Sequence, residues 1–405
     1  LAERTGLDYY RDLEDGGISA QFAVCLNSLT RLRPGTDNPY HTVIIDESEQ
    51  VLQALTSPTL NKIGGDLSKI FYNLQWLFHH AQRIILLDAD LTAEMSIELL
   101  TEIRTPREDD KYLGIINDYQ IGQGQETKLY ENSGHLLVHA LDAIDTGEKA
   151  FITTNSRKLA TSIAEMIEDM GKKVLLVTAE TNELPECVDF INDPTSECVH
   201  YDAVVASPTL STGVSIDGNH FTRVYGIFGI NPGTYQDADQ ALSRVRNCSN
   251  VSVYIQGHQK EMEAPDGAEI YNKLIDVERG SRMRLYNEEH PRMTQGELLW
   301  ARIIASIRVM HGLWSVNKDV KFCALRESLG YTIELLLADE EAAKLGRSLM
   351  RQYKNAGGDR AEAVFYAEVI DEVTAAELGR KRQTSHDEYL QLERYKLAVV
   401  LGDSM

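Results

Sequence analysis

The sequence has no long apolar run and few cysteines. The first absence argues against a membrane-spanning protein, and the second argues against a disulfide-stabilised or zinc-binding one. No apolar stretch approaches the roughly 20 residues that a membrane-spanning helix needs, and no signal-peptide pattern opens the chain. We therefore predict a cytoplasmic protein without a membrane partner. The cysteines form no CxxC pair, which disfavours a zinc site or a disulfide framework and predicts reduced thiols: Cys25, Cys187, Cys198, Cys248 and Cys323.

Positive charge is also scarce. The 405 residues include 40 Lys and Arg against 62 Asp and Glu, which gives a formal net charge of −22. This balance argues against a surface coated with basic residues for nucleic acid, although a motor protein can keep its basic residues in one groove. The arginine-rich stretch 279–308 is either such a groove or a solvated helical face.

Short apolar segments alternate with longer helical patterns as far as about residue 256. Segments such as TVIID (42–46), RIILLDAD (83–90) and TRVYGIFG (222–229) read as strands, whereas SRKLATSIAEMIEDMGK has helical spacing and ends at Gly171 as a C-cap. This alternation predicts an α/β fold with mostly parallel sheets that helices cover on both faces.

The strands fall into two groups, which the polar stretch 122–135 separates. We therefore predict two α/β lobes, residues 1–130 and 131–258. After about residue 265 the segments have helical spacing, so we expect the strands to stop there. Residues 259–405 are accordingly predicted to form a helical accessory domain.

Two carboxylates follow the predicted strand 42–46. Asp46 and Glu47 lie at its C-terminal end, which is the edge where open α/β sheets bind ligands. Asp46 would hold Mg²⁺ through water, and Glu47 would act on the attacking water. A helix N-terminus that is capped by Asp46 or Ser48 is the alternative explanation of the same residues.

Polar residues also follow two other predicted strands. Asp88, Asp90 and Thr92 would lie beside the first carboxylate pair if the two strands are neighbours, or they would cap the next helix. Further along the chain, Gly213 would let backbone N–H groups approach a phosphate, and Asp217 could contact a ribose or an arginine.

The run DQALSRVRN (239–247) brings three phosphate-binding residue types together. Gln240 and Arg244 are four residues apart and are predicted to share a helix face, with Arg246 to one side. Arginine forks suit the charge that develops on a transferring phosphoryl group. An ordinary surface helix is the alternative.

The order of these motifs is more specific than any one of them: DESE, DADLT, FITTNSRKLA, TLSTGVSID and QALSRVR. In this order they resemble the motifs of superfamily 2 helicases, within the group typified by the herpesvirus origin-binding protein and related plasmid and phage replication helicases. CLNSLTRL (25–32) resembles the INSL segment of that group. The resemblance covers residues 1 to about 258 and implies two RecA-like lobes, with ATP and Mg²⁺ as cofactors.

The resemblance also implies a role for each matching residue. Asp46 and Glu47 match the acids that serve magnesium and the hydrolytic water, and Gln240, Arg244 and Arg246 match the arginine-finger motif. Residues that contact the nucleotide or couple its hydrolysis to lobe movement would be Asp90, Thr92, Gly213 and Asp217. Residues that grip the nucleic-acid backbone would be Ser28, Thr154, Asn155, Ser156 and Thr209.

The sequence departs from the family pattern in two places. The arginine motif reads QxxxRxR, one residue shorter than the commoner QxxxRxxR, so Arg246 is a less secure match than Arg244. The phosphate loop G-x-x-x-x-G-K-[ST] does not occur in the 405 residues. Because that loop precedes all these motifs in the family, we expect a first lobe without its N-terminal part, and ATP hydrolysis only in the full-length protein.

These residues together predict the motor of a DNA replication helicase of plasmid, phage or prokaryotic type. Its substrate would be single-stranded or duplex DNA, with RNA left open, and replication proteins would bind the C-terminal domain. Two alternatives stay open at this point. One is a nucleic-acid- or protein-binding scaffold with a non-hydrolysing helicase-like fold, and the other is an ATPase of the DNA-packaging type.

Overall fold

The computed structural model describes most of the chain, and its elements fall into two compact units. The described residues are 6–10, 13, 18–34, 39–56, 67–89, 91, 93–104, 107–208, 214–230, 233–257, 266–286, 294–353, 364–378 and 385–401. The first unit consists of Leu1–Asn117 and Met262–Trp314, and the second of Asp118–Glu261 and Ser315–Met405. The chain therefore leaves each unit once and returns to it.

Strands and helices alternate through the first part of the chain. The strands are β1 (Asp8–Tyr9), β2 (Phe22–Ala23), β3 (Thr42–Asp46), β4 (Arg83–Leu87), β5 (Glu126–Tyr130), β6 (Ala150–Thr154), β7 (Val174–Val177), β8 (Ala203–Ala206), β9 (Arg223–Phe228), β10 (Val251–Ile255) and β11 (Thr332–Leu336). The helices are α1 (Ser48–Ala54), α2 (Leu67–His80), α3 (Glu98–Arg104), α4 (Ser133–Asp145), α5 (Arg157–Asp169), α6 (Pro185–Asn192), α7 (Pro194–Glu197), α8 (Tyr235–Leu242), α9 (Gly267–Tyr286), α10 (Gln295–Ser315), α11 (Lys318–Ser328), α12 (Glu340–Gln352), α13 (Glu372–Leu378) and α14 (His386–Leu401).

The described residues of the first unit form two short parallel sheets, β1 with β2 and β3 with β4. β3 pairs with β4 in parallel, so that Asp46 lies opposite Leu87. Ile45 faces a core formed with helices α1, α2, α3 and α10, whereas Ile44 on the other face is 58% exposed. The described residues thus cover one face of this sheet. A 3-10 helix (Leu26–Arg31) and a π-helical turn (Ala93–Ile97) complete the surroundings of the strand ends.

The second unit contains a seven-stranded sheet with every pairing parallel, in the order β11-β5-β10-β9-β6-β8-β7. Successive residues of the inner strand β6 enter different cores, because side chains alternate across a sheet: Phe151 packs in one cluster and Ile152 in the other. All five residues of β6 are buried. Burial on both faces explains the nearly continuous apolar runs of these strands.

Helices α4 and α12 of the second unit pack closely through two glycines. A Cβ atom on Gly346 would lie 2.2 Å from the backbone oxygen of Gly134, and one on Gly134 would lie 2.8 Å from the oxygen of Ala343. The two backbones can approach this closely only because neither glycine carries a side chain. α12 follows β11, so this contact fixes the C-terminal segment against the sheet.

The predicted fold class is confirmed, and two strands that the sequence did not predict enlarge the sheet. The protein is α/β with parallel sheets, and its C-terminal region is mainly helical. The expectation that strands stop near residue 265 is wrong, because β11 pairs with β5 at the edge of the large sheet. The division into 1–130, 131–258 and 259–405 stays a prediction. In the part of the chain that the structure describes, no helix is both long and apolar enough to span a bilayer.

Candidate functional site

The acidic segment, residues 46–49, begins at the C-terminal end of β3. Asp46 is exposed, and Glu47 adopts a left-handed conformation with φ 54° and ψ 55°. Glu47 holds the cap position of α1, and its side chain makes no capping hydrogen bond. The alternative in which Asp46 or Ser48 caps the helix is therefore wrong. Left-handed backbone is costly for a residue with a side chain and is a form of strain found at functional sites.

The cap of α1 comes instead from the neighbouring strand. The backbone N–H of Glu49 donates to Asp88 Oδ2 at 2.8 Å, and Asp88 directly follows β4. This bond satisfies one of the N–H groups that a helix leaves open at its first turn. The predicted condition for a shared acidic site, that the two strands are neighbours, is met by β3 and β4.

A buried hydrogen-bond network lies below the acidic segment. Ser96 Oγ lies 2.8 Å from Ser48 Oγ and donates to Glu49 Oε1 at 2.7 Å. All three side chains are almost fully buried, at 0%, 0% and 3% exposure. Ser96 belongs to the π-helical turn after β4, so the network ties the end of β3 to the segment that follows β4. Sequence reasoning assigned no role to Glu49 or Ser96.

Ser28 lies in the 3-10 helix, half-buried, and its backbone N–H donates to the Cys25 oxygen at 2.9 Å. The end of this turn is held by Asn73, which is 0% exposed and donates to the backbone oxygens of Leu29 and Leu32 at 2.7 and 3.1 Å. A buried amide that bonds two carbonyls fixes the backbone of this turn. The segment thus presents Ser28 on a fixed backbone.

Three predicted nucleic-acid contacts, Thr154, Asn155 and Ser156, lie at the end of β6, and their hydrogen bonds are made within the fold. Asn155 donates to the Gly229 oxygen at 3.0 Å and accepts from the Gly229 N–H at 2.8 Å. Ser156 caps α5 by accepting from Leu159 N–H at 3.3 Å, and its own N–H donates to Thr154 Oγ1 at 3.2 Å. Thr154 and Asn155 are buried. The Asn155 side chain therefore holds the ends of β6 and β9 together, and the Thr154 hydroxyl fixes the turn into α5.

Gly229 is bound from a second side by a lysine. Lys318 Nζ donates to the Gly229 oxygen at 3.2 Å, and Lys318 is 1% exposed. Burial lowers the pKa of Lys318 from 10.5 to about 8, and Asp237 opposes this shift. Because Lys318 begins α11, the segment after residue 315 contacts the strand end that Asn155 also holds.

The arginine segment, residues 240–246, is joined to residues 214–217 by a parallel β-bridge between Ile216 and Val245. The Ile216 N–H donates to the Arg244 oxygen at 2.8 Å, and the Arg246 N–H donates to the Ile216 oxygen at 3.0 Å. Two segments about 30 residues apart, each predicted to contact nucleotide, are thus hydrogen-bonded to each other.

Side chains reinforce the same bridge. Arg244 Nη1 donates to the Val214 oxygen at 3.3 Å, and Arg246 Nε donates to Ser215 Oγ at 3.2 Å. Ser215 Oγ in turn donates to Asp217 Oδ1 at 2.9 Å. Asp217 and Arg246 are exposed, and Arg244 is half-buried. A carboxylate, a hydroxyl and two guanidinium groups therefore lie along one bridge, with Asp217 and Arg246 as its exposed members.

The prediction that Gln240 and Arg244 share a helix face is wrong. α8 ends at Leu242 with Ser243 at its C-cap, so Gln240 is helical whereas Arg244 and Arg246 follow the helix. The bridge to Ile216 draws the chain out of helical geometry, because the backbone groups of Arg244 and Arg246 bond across to that residue. The spacing QxxxRxR consequently describes a helix end followed by an extended pair.

Sequence reasoning missed a buried ion pair next to Gln240. Arg326 Nε lies 2.5 Å from Asp239 Oδ1, with the two side chains 2% and 12% exposed. The Arg326 guanidinium lies over the rings of Tyr331 and Phe322, at 4.4 and 5.5 Å from their centroids. Burial raises the pKa of the Asp239 carboxyl, and Arg326 opposes this shift. Asp239 stands inside the quoted motif, but nothing near it in sequence indicates Arg326.

Four predicted residues, Asp90, Thr92, Thr209 and Gly213, lie outside the described residues. Among the residues that the structure does describe, no group of three His, Cys, Asp or Glu could by itself hold a metal. The exposed Asp46 carboxylate nevertheless fits Mg²⁺, which is commonly bound by one or two carboxylates together with water and substrate phosphates.

A family model described as origin of replication binding protein matches residues 7–124. An uncharacterised protein of Picosynechococcus sp. is 29% identical over 275 residues, which is 61% of this chain and 27% of that protein. A candidate helicase of Acanthamoeba polyphaga mimivirus is 24% identical over 53% of this chain and 20% of its own length. A candidate helicase/primase complex protein of African swine fever virus is 26% identical over 58% of this chain and 21% of its own length.

The chain thus spans about a fifth to a quarter of the length of these relatives. Among solved structures, a DEAD-box helicase bound to ssRNA and UDP-BeF aligns with a TM-score of 0.35 and 13% identity, over 65% of this chain and 60% of that one. A structure of Mss116p bound to ssRNA and AMP-PNP aligns with a TM-score of 0.36 and 12% identity, over 73% of this chain and 66% of that one. The sequence matches support a helicase-like superfamily.

Proposed function

We propose that this chain is the motor part of a DNA replication helicase, of plasmid, phage or prokaryotic type, that uses ATP to translocate on or unwind nucleic acid. The observation that carries this proposal is the bridge between Ile216 and Val245. It joins two segments that the motif order assigned to nucleotide contact, and it presents Asp217, Arg244 and Arg246 together. The match of residues 7–124 to an origin-binding family model supports the replication context.

In the proposed reaction Arg244 stabilises the charge on the transferring phosphoryl group. A guanidinium presents a fixed fork of donors, and such an arginine acts mainly by positioning and charge compensation. Arg244 is half-buried and its Nη1 is bonded to the Val214 oxygen at 3.3 Å, so its charge is held in a defined direction before any ligand binds. Arg246 is exposed and is assigned to a second oxygen. Gln240, at the end of α8, would complete this group.

The acidic segment would hold the metal and the attacking water. Asp46 would hold Mg²⁺ through water, and Glu47 would orient the attacking water or take its proton. Bound Mg²⁺ would neutralise phosphate charge and fix the phosphate oxygens. The 405 residues contain no phosphate loop, and we propose that a segment outside this sequence supplies it. Asp90, Thr92 and Gly213 keep their proposed nucleotide or coupling roles.

For the nucleic acid we propose contacts to the backbone, which carry no sequence preference. Ser28 would contribute its hydroxyl from the fixed 3-10 turn. Because the Thr154 and Asn155 side chains are engaged within the fold, the segment 154–156 would contribute mainly through backbone amides and Ser156. Thr209 is assigned to the same strand. Partner replication proteins would bind the C-terminal region.

The proposal is tested by changing Arg244 to Ala in the full-length protein. We expect ATP turnover stimulated by single-stranded DNA to fall by roughly 10³-fold or more, since a phosphoryl-transfer arginine contributes on that scale. Nucleotide affinity should stay within about threefold, because the arginine acts mainly in the transition state. Arg351→Ala, an exposed arginine of the same unit, is the matched control and should leave turnover unchanged. Turnover that survives Arg244→Ala would overturn the assignment.

A further inference from the structure

The ion pair between Asp239 and Arg326 lies at the point where α8 gives way to the arginine segment. Asp239 directly precedes Gln240, and α8 ends three residues later at Leu242. Arg326 comes from α11, 87 positions further along the chain, so it reaches the motif from outside it. An element that is remote in sequence therefore contacts the helix end that presents Gln240 and leads into Arg244.

Stability alone does not account for this pair. Removing two charges from water is expensive, and a buried ion pair is often no more stabilising than two well-packed apolar side chains of similar size. Here the two side chains are 2% and 12% exposed. What the pair does supply is a defined position, because a planar guanidinium that lies against the Tyr331 and Phe322 rings can bring its Nε to the Asp239 carboxylate in few orientations.

Backbone hydrogen bonds connect the position of Asp239 to the positions of Arg244 and Arg246. The Ser243 N–H donates to the Asp239 oxygen at 3.0 Å, and Arg244 follows with its oxygen bonded to Ile216. A shift of Asp239 would therefore move the C-cap and then Arg244. A displacement of about 1 Å at a catalytic group can lower a rate by roughly 100-fold.

We propose that Arg326 is a positioning residue for the arginine segment, acting through Asp239 on the end of α8. The inference rests on the proposed function for its effect on turnover. Its structural part, that Arg326 fixes where residues 244–246 lie, stands on the contacts themselves. In this reading the segment 318–331, which was assigned to an accessory domain, takes part in phosphoryl transfer by orienting Arg244.

The experiment compares Arg326→Met with the double variant Arg326→Met/Asp239→Leu. The single variant leaves a buried carboxylate alone and is expected to unfold at lower temperature, whereas the double variant removes both charges and should recover the original unfolding midpoint. Lys149→Met is the matched control. It removes a pair of the same N–O distance, 2.5 Å, in the same unit, where both side chains are about one third exposed.

Two readouts separate positioning from stability. Hydrogen exchange of the Ile216 and Arg246 amides, whose acceptors are the Arg244 and Ile216 oxygens, reports the bridge directly. In the double variant we expect this exchange to be about tenfold faster or more. In the full-length protein we expect kcat for ATP to fall roughly 10- to 100-fold, with nucleotide affinity nearly unchanged. The control should change neither quantity.

Each outcome decides between the two proposals. A double variant that recovers its midpoint, its exchange rates and its turnover would overturn the inference, because the pair would then serve stability alone. Should the double variant not fold, Arg326→Lys keeps the charge and loses the fork, and unchanged amide exchange in that variant would overturn the inference as well. If the wild type hydrolyses no ATP while amide exchange rises as expected, the proposed function fails and the placement of residues 244–246 by Arg326 stands.

Discussion

The acidic segment of the first unit and the arginine segment of the second are held in opposite ways. The acidic segment is fixed by two residues that follow the adjacent strand β4, Asp88 and Ser96, and it contains a residue in left-handed backbone, Glu47. The arginine segment contains no residue in left-handed backbone and is fixed from a distance, by the bridge to Ile216 and by Arg326 of α11. The comparison teaches that local strain and remote contacts are alternative ways to hold charged groups in place.

The largest expected effect is on the free energy of unfolding and concerns Lys318, the buried lysine of the second unit that donates to the Gly229 oxygen. Burial lowers the pKa of Lys318 from 10.5 to about 8. Between these values the unfolded chain binds the proton more tightly, so the free energy of unfolding rises with pH from about 8 to about 10.5. The pKa difference corresponds to at most about 3 kcal/mol. The cost of burying the charged lysine is accordingly present in full below pH 8.

Lys318→Met removes this titration. In urea unfolding at pH 7.5 and at pH 10, the variant should lack the part of the rise that Lys318 causes, so its advantage over the wild type should shrink as pH increases. Asn155 still donates to the Gly229 oxygen in the variant, so that carbonyl stays bonded. Lys396→Met, an exposed lysine in the same unit, is the control and should follow the wild-type profile. Parallel profiles for wild type and Lys318→Met would contradict the prediction.

The next effect compares a glycine from each unit. Intrinsic helix propensity favours Ala over Gly by about 1 kcal/mol. At Gly346 the new Cβ would meet the Gly134 oxygen at 2.2 Å, a contact with backbone that can yield only if α4 and α12 separate. We expect Gly346→Ala to destabilise the protein by about 2 kcal/mol, within the range for overpacking.

Gly296 in α10 of the first unit is the matched position, since its Cβ would have no neighbour closer than 4.0 Å. Gly296→Ala should be neutral or should stabilise by a few tenths of a kcal/mol. Thermal and urea unfolding of both variants measure the difference. Equal changes at the two positions would show that the α4 and α12 contact is not tight.

The smallest expected effect on the free energy of unfolding concerns the left-handed backbone of Glu47. Glu47→Gly removes the penalty of left-handed backbone and should raise the free energy of unfolding by about 0.5–1 kcal/mol, after the greater flexibility of unfolded glycine is counted. Asn317 has nearly the same backbone, with φ 49° and ψ 45°, and asparagine tolerates that region. Asn317→Gly should therefore gain less. A lower free energy of unfolding in Glu47→Gly would contradict the prediction that Glu47 is strained. The proposed ATP turnover should be lost in this variant whether its stability rises or falls.

The sequence predicted the strands well and the connections between distant residues poorly. TVIID was predicted residue for residue as β3, and its neighbour β4 ends at Leu87, three residues before the predicted limit of 90. Those strands are short apolar runs, which local patterns can reveal. β5 and β11 carry charged residues among apolar ones, because they lie at or next to the sheet edge, and they were missed.

The candidate site divides in the same way. The acidic and arginine motifs are short contiguous stretches of sequence, and sequence analysis found both. It did not find that Asp88 caps α1 or that Arg326 pairs with Asp239, because both contacts join residues that are distant in sequence. The helix face predicted for Gln240 and Arg244 failed because a β-bridge to a segment 30 residues away overrides the local helical spacing. Tertiary hydrogen bonds, which spacing does not encode, decide those details.

The position of β11 has a consequence for how the protein is made. β5 pairs with β11 across about 206 residues of chain, and Asp239 of α8 pairs with Arg326 across 87 residues. A growing chain that has reached β10 therefore still carries β5 as an edge strand, with unpaired backbone groups open to association with other chains. Closing the sheet requires the ribosome to finish the intervening first-unit segment, Met262–Trp314, before residue 332 appears. Such non-local pairing slows folding, and it makes the last added strand the step that protects the nascent sheet.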